Sequence, residues 1–418
     1  MAENLLRGVR LDRAREVGLD PDALRRAFGL VEAWVEDGVL PGAAALVTRG
    51  GVVGGEAYVG MADRQRHRAA DSDTIWSLAS ITKPFTATAV MLLVEAGAFS
   101  LDEPLYRLLP DFLAAPETPF DRRAVTLRHV LAHCSGLPGF SEDNLALRMA
   151  HRPIEAFVRS FARQPLLFAP GTMHYYSNVG ILLAAEVVGR YLAGALGGEV
   201  EIPAVGRLYG FVRERILAPL GMDGAGFRPP AEWDERIARV EGTGQEGSDW
   251  EMANSAYYRG LGIPWGGLYS TARDLARFVD LFLPGAGGLG RVGLGQRDAR
   301  ILSPASIRAM VSARLAPPDA PADLAPELRD GSPPIWPLPA VEWGIGWEVK
   351  GGKRPHWSGE LTSAATYGHL GASGTMAWAD PETDVACVLL TNQALVSGWT
   401  RERPRQAMFG NAVAAAAL

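Results

Sequence analysis

Three short motifs carry residue types that could do chemistry together. Ser80-Ile81-Thr82-Lys83 places a hydroxyl and an amine three residues apart. If a helix begins there, positions i and i+3 share a face and the two groups can meet. Serine attacks a carbonyl well only when a base takes its proton. A lysine can be that base if desolvation lowers its pKa. The helix N-terminus would also favour negative charge on the attacked oxygen. The competing reading is a helix start with a solvated lysine, but Pro84 directly after Lys83 argues against an ordinary helix interior. The second motif, Tyr176-Ser177-Asn178, follows Pro170-Gly171 and precedes a helical run. Tyr176 could accept or donate a proton, and Asn178 could hold a substrate amide or the lysine. Taken alone, Ser177 or Asn178 reads first as a helix N-cap. The third, His369-Leu370-Gly371, lies in a Gly-rich stretch, 367–374. Glycine in a strand marks close backbone approach, and an N–H there could stabilise an oxyanion. Alone, it reads as a satisfied histidine beside a bulge.

The surrounding pattern shows what must position these residues. Near the start, Asp20 can cap a helix, Pro21 suits its first position, and Leu24, Ala27, Phe28, Val31 and Val35 form one apolar stripe that Gly38 ends. Residues 41–60 read as a hairpin around Gly50-Gly51. A helix is expected from about Ser80 to Ala96, stopped by Gly97. The long middle carries helical spacing at 153–164, 179–196, 205–221 and 270–283, and strand patterns return in 344–393 before a closing helix. Strands at both ends and helices between predict a sheet domain built from residues 1–83 and 341–418, with a mostly helical domain, 84–312, inserted. Residues 284–296 are Gly-rich and read as a loop. Residues 313–340 hold eight prolines, which predicts a flap or a disordered excursion.

Composition excludes several classes. The 418 residues are 48% hydrophobic and 21% charged, the profile of a globular chain. A net charge of −6 leaves no basic excess for nucleic acid. Cys134 and Cys387 are too few for a disulfide framework or a Cys-based zinc site and read as small buried hydrophobes. No apolar run is long enough to span a bilayer, and the first residues lack a signal-peptide core; if Met1 is the native start, the expectation is a cytoplasmic protein. Only three of the 41 basic residues are lysines, Lys83, Lys350 and Lys353, and lysine, unlike arginine, can lose its proton when buried.

The order of the motifs changes their weight. Ser-x-x-Lys, then Tyr-x-Asn in a helical middle, then a basic residue-x-Gly on a late strand resembles the serine β-lactamase superfamily. The likeness is greatest to class C β-lactamases, family VIII carboxylesterases and related DD-peptidases. Thr74-Ile75-Trp76 and the stretches 93–112, 131–138, 170–180, 266–278 and 374–392 add to it, so it extends over most of the chain. The resemblance implies an α+β, β-lactamase-like fold: a mixed, mainly antiparallel sheet flanked by helices, with a helical domain beside it and the site between. It implies Ser80 as nucleophile, Lys83 and Tyr176 sharing the proton work, and Asn178 orienting substrate and Lys83. His369 and Gly371 would contribute to substrate binding, and the backbone N–H groups of Ser80 and Ala372 would form the oxyanion hole. No metal or organic cofactor is implied.

Two departures bear on substrate. The family's lactamases carry Lys-Thr-Gly as third motif; here Leu370 has no hydroxyl, and His369 is expected to be about half charged near pH 6.5 and mostly neutral above it. Cys134 replaces a common threonine, with only a packing change expected, and His133 reads as structural. The favoured expectation is a carboxylesterase on small or medium acyl esters, with weak β-lactam hydrolysis. A D-amino-acid peptidase or amidase, a β-lactamase and an acyltransferase are the alternatives. A catalytically silent ligand-binding or scaffold member is the reading from another class, and the presence of Ser80, Lys83 and Tyr176 speaks against it. The partner is a small-molecule ester or amide, with neither nucleic acid nor membrane; the sequence does not specify an oligomeric state. Trp265, Trp336, Trp343, Trp347 and Trp378 could line an apolar acyl pocket, against the plainer reading that they fill the core.

Overall fold

The structure is a computed structural model that describes residues 9–115, 119–198, 203–248, 251–285, 300–312, 342–401 and 403–418, together with the backbone of 336–337. The Pro-rich stretch 313–340, those two residues aside, and most of the Gly-rich 284–296 loop lie outside the described residues, as does the Trp336 side chain.

Both ends of the chain contribute to one antiparallel sheet. Its strands are β1 (Gly42–Arg49), β2 (Val52–Asp63), β3 (Arg68–Ala69), β4 (Glu348–Val349), β5 (Tyr367–Gly371), β6 (Thr375–Asp380) and β7 (Val385–Thr391), in the order β3-β2-β1-β7-β6-β5-β4. The β1–β2 turn falls on Gly50 and Gly51, both at positive φ, as a tight hairpin requires. The seam between the two ends is β1 against β7, in register from Ala43 opposite Thr391 to Arg49 opposite Val385. Strand alternation with a period of two sends Ala43, Ala45, Val47, Trp378 and Cys387 to one face, where Leu24, Phe28 and Phe409 cover them. Ala44, Leu46, Ala379, Val388 and Leu390 face the other way, into a core continuous with the helical region. With both faces buried, β7 is buried throughout and apolar from Val385 to Leu390.

Helix α1 (Pro21–Glu36) starts on the Asp20 cap, and its buried stripe ends on Trp34 rather than Val35, which is half-buried. Helix α2 (Thr82–Glu95) is led in by a 3-10 turn, Ala79–Ile81, and is stopped by Gly97 at φ +73°. Its residues are buried from Thr82 through Leu93, so it is an interior helix rather than an amphipathic one. Helix α3 (Asn178–Leu192) packs beside it, and helix α4 (Ala272–Asp280) lies against the sheet. Phe85 of α2 and Phe278 of α4 stack with centroids 3.6 Å apart, joining the helical layer to the sheet layer. Helix α5 (Arg405–Ala414) closes the chain on the face that α1 also covers. Among the described residues no helix is long and apolar enough to cross a membrane. The expected strand at 344–350 shortens to Glu348–Val349, because the chain turns at Gly346, φ +81°.

Candidate active site

Ser80 stands in the 3-10 turn that opens α2, one residue after Ala79, whose φ of +46° is unusual for a residue with a Cβ. Lys83 lies one turn on and fully buried; its Nζ donates to Ser80 Oγ at 3.0 Å and to the Trp265 carbonyl at 2.9 Å. Among the described residues no carboxylate is paired with it, and burial pulls its pKa well below that of an ordinary lysine. A neutral amine next to a serine hydroxyl can accept that hydroxyl's proton.

The carbonyl of Trp265 is held in place by α2 itself. Thr82 Oγ1 accepts from the Leu268 N–H at 3.0 Å, and Thr86 Oγ1 donates to the Pro264 carbonyl at 2.7 Å. Gly267 permits the fold-back of this loop, since a Cβ there would overlap the Ile263 backbone. These threonines and the Trp265 carbonyl were not singled out in the sequence: their partners lie far along the chain, and a backbone atom leaves no residue signal.

Tyr176 brings a phenol to the same point. Its ring centroid is 4.6 Å from Lys83 Nζ, and Ser80 is the polar side chain that acts on its hydroxyl. Burial raises the phenol pKa, and Ser80 opposes that rise only in part. The ring packs on His133 at 4.5 Å, and His133 Nδ1 in turn accepts the Ser177 N–H at 3.1 Å. His133 is thus a fully buried brace for the Tyr176 segment. Ser177, not Asn178, caps α3, its Oγ accepting the Gly180 N–H. That leaves the Asn178 side chain to line the cavity. Lys83 takes Trp265 as its second partner, with no hydrogen bond to Asn178.

The late strand reaches the site through small residues. Gly371 lies so close to the segment before Ser80 that a Cβ would overlap the Leu78 carbonyl oxygen. Ser373 Oγ donates to the Ser77 carbonyl at 2.6 Å, and Thr375 Oγ1 to that of Leu78 at 3.2 Å. These pins set Ala372, exposed, in the wall of the cavity that holds Ser80. His369 is elsewhere: it is buried, outside the cavity wall, with its ring centroid 6.0 Å from Tyr176. Its Nδ1–H donates to the Leu370 carbonyl at 2.7 Å. Burial, with Lys83 adding to it, pushes its pKa down to about 4. The sequence expectation of a half-charged imidazole near pH 6.5 is therefore corrected: His369 is neutral across that range.

A cavity of about 810 Å³ opens over Ser80, between Ala372 on one side and residues such as Phe140, Leu167, Tyr258 and Trp265 on the other. Of the tryptophans named from sequence, Trp265 lines it. Trp343 packs behind it, against His133 and His369, and Trp347 and Trp378 fill the core on opposite faces of the sheet. Cys134 and Cys387 are buried free thiols, as their isolation in the sequence suggests.

A hydroxyl–amine–phenol constellation at the start of a buried helix, facing a cavity closed by a sheet edge, is the arrangement expected of a serine hydrolase of the β-lactamase class. The Beta-lactamase family model matches residues 28–407, and the chain belongs to that family. It is 36% identical to Esterase EstB of Burkholderia gladioli over 202 residues, a match that spans 45% of this chain and 47% of that protein. It is 27% identical to Penicillin-binding protein 4 of Amycolatopsis lactamdurans, over 86% of this chain and 83% of that one. Among solved structures, a family VIII carboxylesterase superposes with a TM-score of 0.70 at 20% identity, covering 97% of this chain and 98% of the other, which supports the fold.

Proposed function

We propose that this protein is a carboxylesterase acting on small or medium acyl esters through a Ser80 acyl-enzyme. Ser80 Oγ attacks the ester carbonyl carbon while its proton passes to the Lys83–Tyr176 pair. The same proton then goes to the departing alcohol as the C–O bond breaks. Water, losing a proton to that pair, attacks the acyl-enzyme, and the acid leaves with Ser80 reprotonated. The N–H groups of Ser80 and Ala372 receive the oxyanion in each half-reaction. The observation that carries this reading is Lys83: a buried amine, without a carboxylate partner among the described residues, 3.0 Å from Ser80 Oγ.

Preference for esters over β-lactams rests on the third motif. His369 is neutral and outside the cavity wall, and Leu370 has no hydroxyl, so neither supplies the cation and hydroxyl of Lys-Thr-Gly. The likeness to Esterase EstB supports the same choice. The peptidase reading is kept because Penicillin-binding protein 4 matches over more of the chain. Asn178 in the cavity wall could hold an amide, and acyl transfer to an acceptor other than water would use the same intermediate.

The test is initial rates on p-nitrophenyl butyrate and nitrocefin, side by side. Fast ester turnover, slow nitrocefin cleavage and loss of both in Ser80→Ala are expected. Ser80→Ala activity within tenfold of wild type would remove Ser80 from the mechanism. Faster nitrocefin than ester cleavage would move the lactamase and peptidase readings ahead.

A further inference from the structure

We infer that Arg148 selects substrates that carry a carboxylate besides the scissile ester or amide, an inference that rests on the Ser80 acyl-transfer reading. Arg148 lies on the short helix Asn144–Met149 and lines the same cavity as Ser80. Among the described residues that line it, it is the one cation. Its guanidinium is set over two aromatic rings, 5.6 Å from the Phe140 centroid and 5.9 Å from that of Tyr258. Such stacking holds the planar group without using up its in-plane donors. Among the described residues its hydrogen bond to a side chain is from Nε to Asn144 Oδ1, at 3.3 Å, and no carboxylate lies within ion-pair distance.

Among the described residues, the rest of the cavity gives this charge neither a rival cation nor a carboxylate within ion-pair distance. Burial lowers the pKa of both Lys83 and His369, and neither side chain lies in the cavity wall where it would compete for an anion. Glu142 also lines the cavity but is exposed, where water and salt screen it. Much of the remaining wall is apolar or aromatic: Phe140, Leu167, Tyr258 and Trp265. Arg148 is half-buried as a residue, and in such surroundings its guanidinium offers a carboxylate paired N–H donors. About 810 Å³ is room for an ester whose acyl or alcohol part ends in that carboxylate. Recognition of an anion thus passes from the third motif on the sheet to a residue of the helical region.

The experiment compares matched probes. p-Nitrophenyl hemiglutarate against p-nitrophenyl valerate places the carboxylate on the acyl side; 4-butanoyloxybenzoate against phenyl butyrate places it on the leaving group. In Arg148→Gln the anionic-to-neutral ratio of kcat/KM should fall about tenfold or more for at least one pair. Arg148→Lys should restore part of it. Ratios within twofold of wild type for both pairs would overturn the inference. If the wild-type protein hydrolyses no probe, the Ser80 reading fails, and binding decides Arg148 separately. The Kd of hemiglutarate ester for Ser80→Ala is then set against that for Ser80→Ala with Arg148→Gln. A tenfold weakening supports the inference and equal Kd values overturn it.

Discussion

At the residue scale the site depends on one unfavourable burial. Lys83 is fully enclosed with, among the described residues, two hydrogen-bond partners and no counter-ion, so its folded-state pKa is lowered. The sign of the linkage follows. Between that lowered pKa and the ordinary value near 10.5, the unfolded chain binds a proton that the folded chain does not. Stability therefore rises with pH through this window, and at neutral pH Lys83 is a net cost. Lys83→Met is expected to lose turnover yet raise Tm at pH 7, by about 1–2 kcal/mol of stability, with the gain shrinking toward pH 10. Thermal melts at pH 7 and pH 10 check this; a large fall in Tm at pH 7 would mean that the two hydrogen bonds outweigh desolvation. The pairing of Ser80 with Lys83 was legible from the sequence because i and i+3 meet on any helix. The charge of His369 was not, because its pKa is set by burial that only the assembled sheet creates.

At the scale of elements, α4 carries a second buried ionisable group, away from Ser80, Lys83 and Tyr176. Asp280 accepts from Thr48 Oγ1 of β1 at 2.6 Å, while its Oδ2 is buried without a partner among the described residues. Burial raises its pKa to about 7. Here the folded state binds the extra proton between pH 4 and 7, so stability falls as pH rises through that range. Asp280→Asn should raise Tm at pH 8, by an amount on the order of a few kcal/mol of stability, and the gain should vanish near pH 4. An unchanged Tm at pH 8 would show that the carboxylate is ionised at no cost. The existence of α1, α2, α3 and the late strands was readable because periodicity is local. The contacts that orient them were not: Thr82 to Leu268, Thr86 to Pro264 and Ser373 to Ser77 join elements remote in sequence, and each polar residue reads alone as an ordinary helix or strand position.

At the scale of the whole molecule, the site exists where sheet and helical region touch, and Gly371 sets their separation. A Cβ there would meet the Leu78 carbonyl and the Thr375 hydroxyl. Gly371→Ala must move β5 away from the segment carrying Ser80, shifting Ala372 with it. A displacement approaching 1 Å is expected to lower kcat/KM by about 100-fold. Rates on p-nitrophenyl butyrate with a circular dichroism check of the fold measure this. Activity within threefold of wild type would mean that the two layers slide without disturbing Ser80. The split of strands to both ends was visible in the sequence, and so was the family; which faces meet was not, since a glycine's reason for being small lies in what approaches it.

The β1–β7 seam also has a meaning for synthesis. Ser77 and Ser373 are 296 positions apart, and β1 finds its sheet partner later still. At roughly 5–20 residues per second, a ribosome needs on the order of tens of seconds to make that stretch. Throughout that time the β1–β2 hairpin presents one unpaired edge of a nearly all-buried strand. An open apolar edge is a template for the wrong neighbour. The yield of soluble protein is therefore set by how well the nascent chain, or a chaperone, covers β1 until β7 emerges.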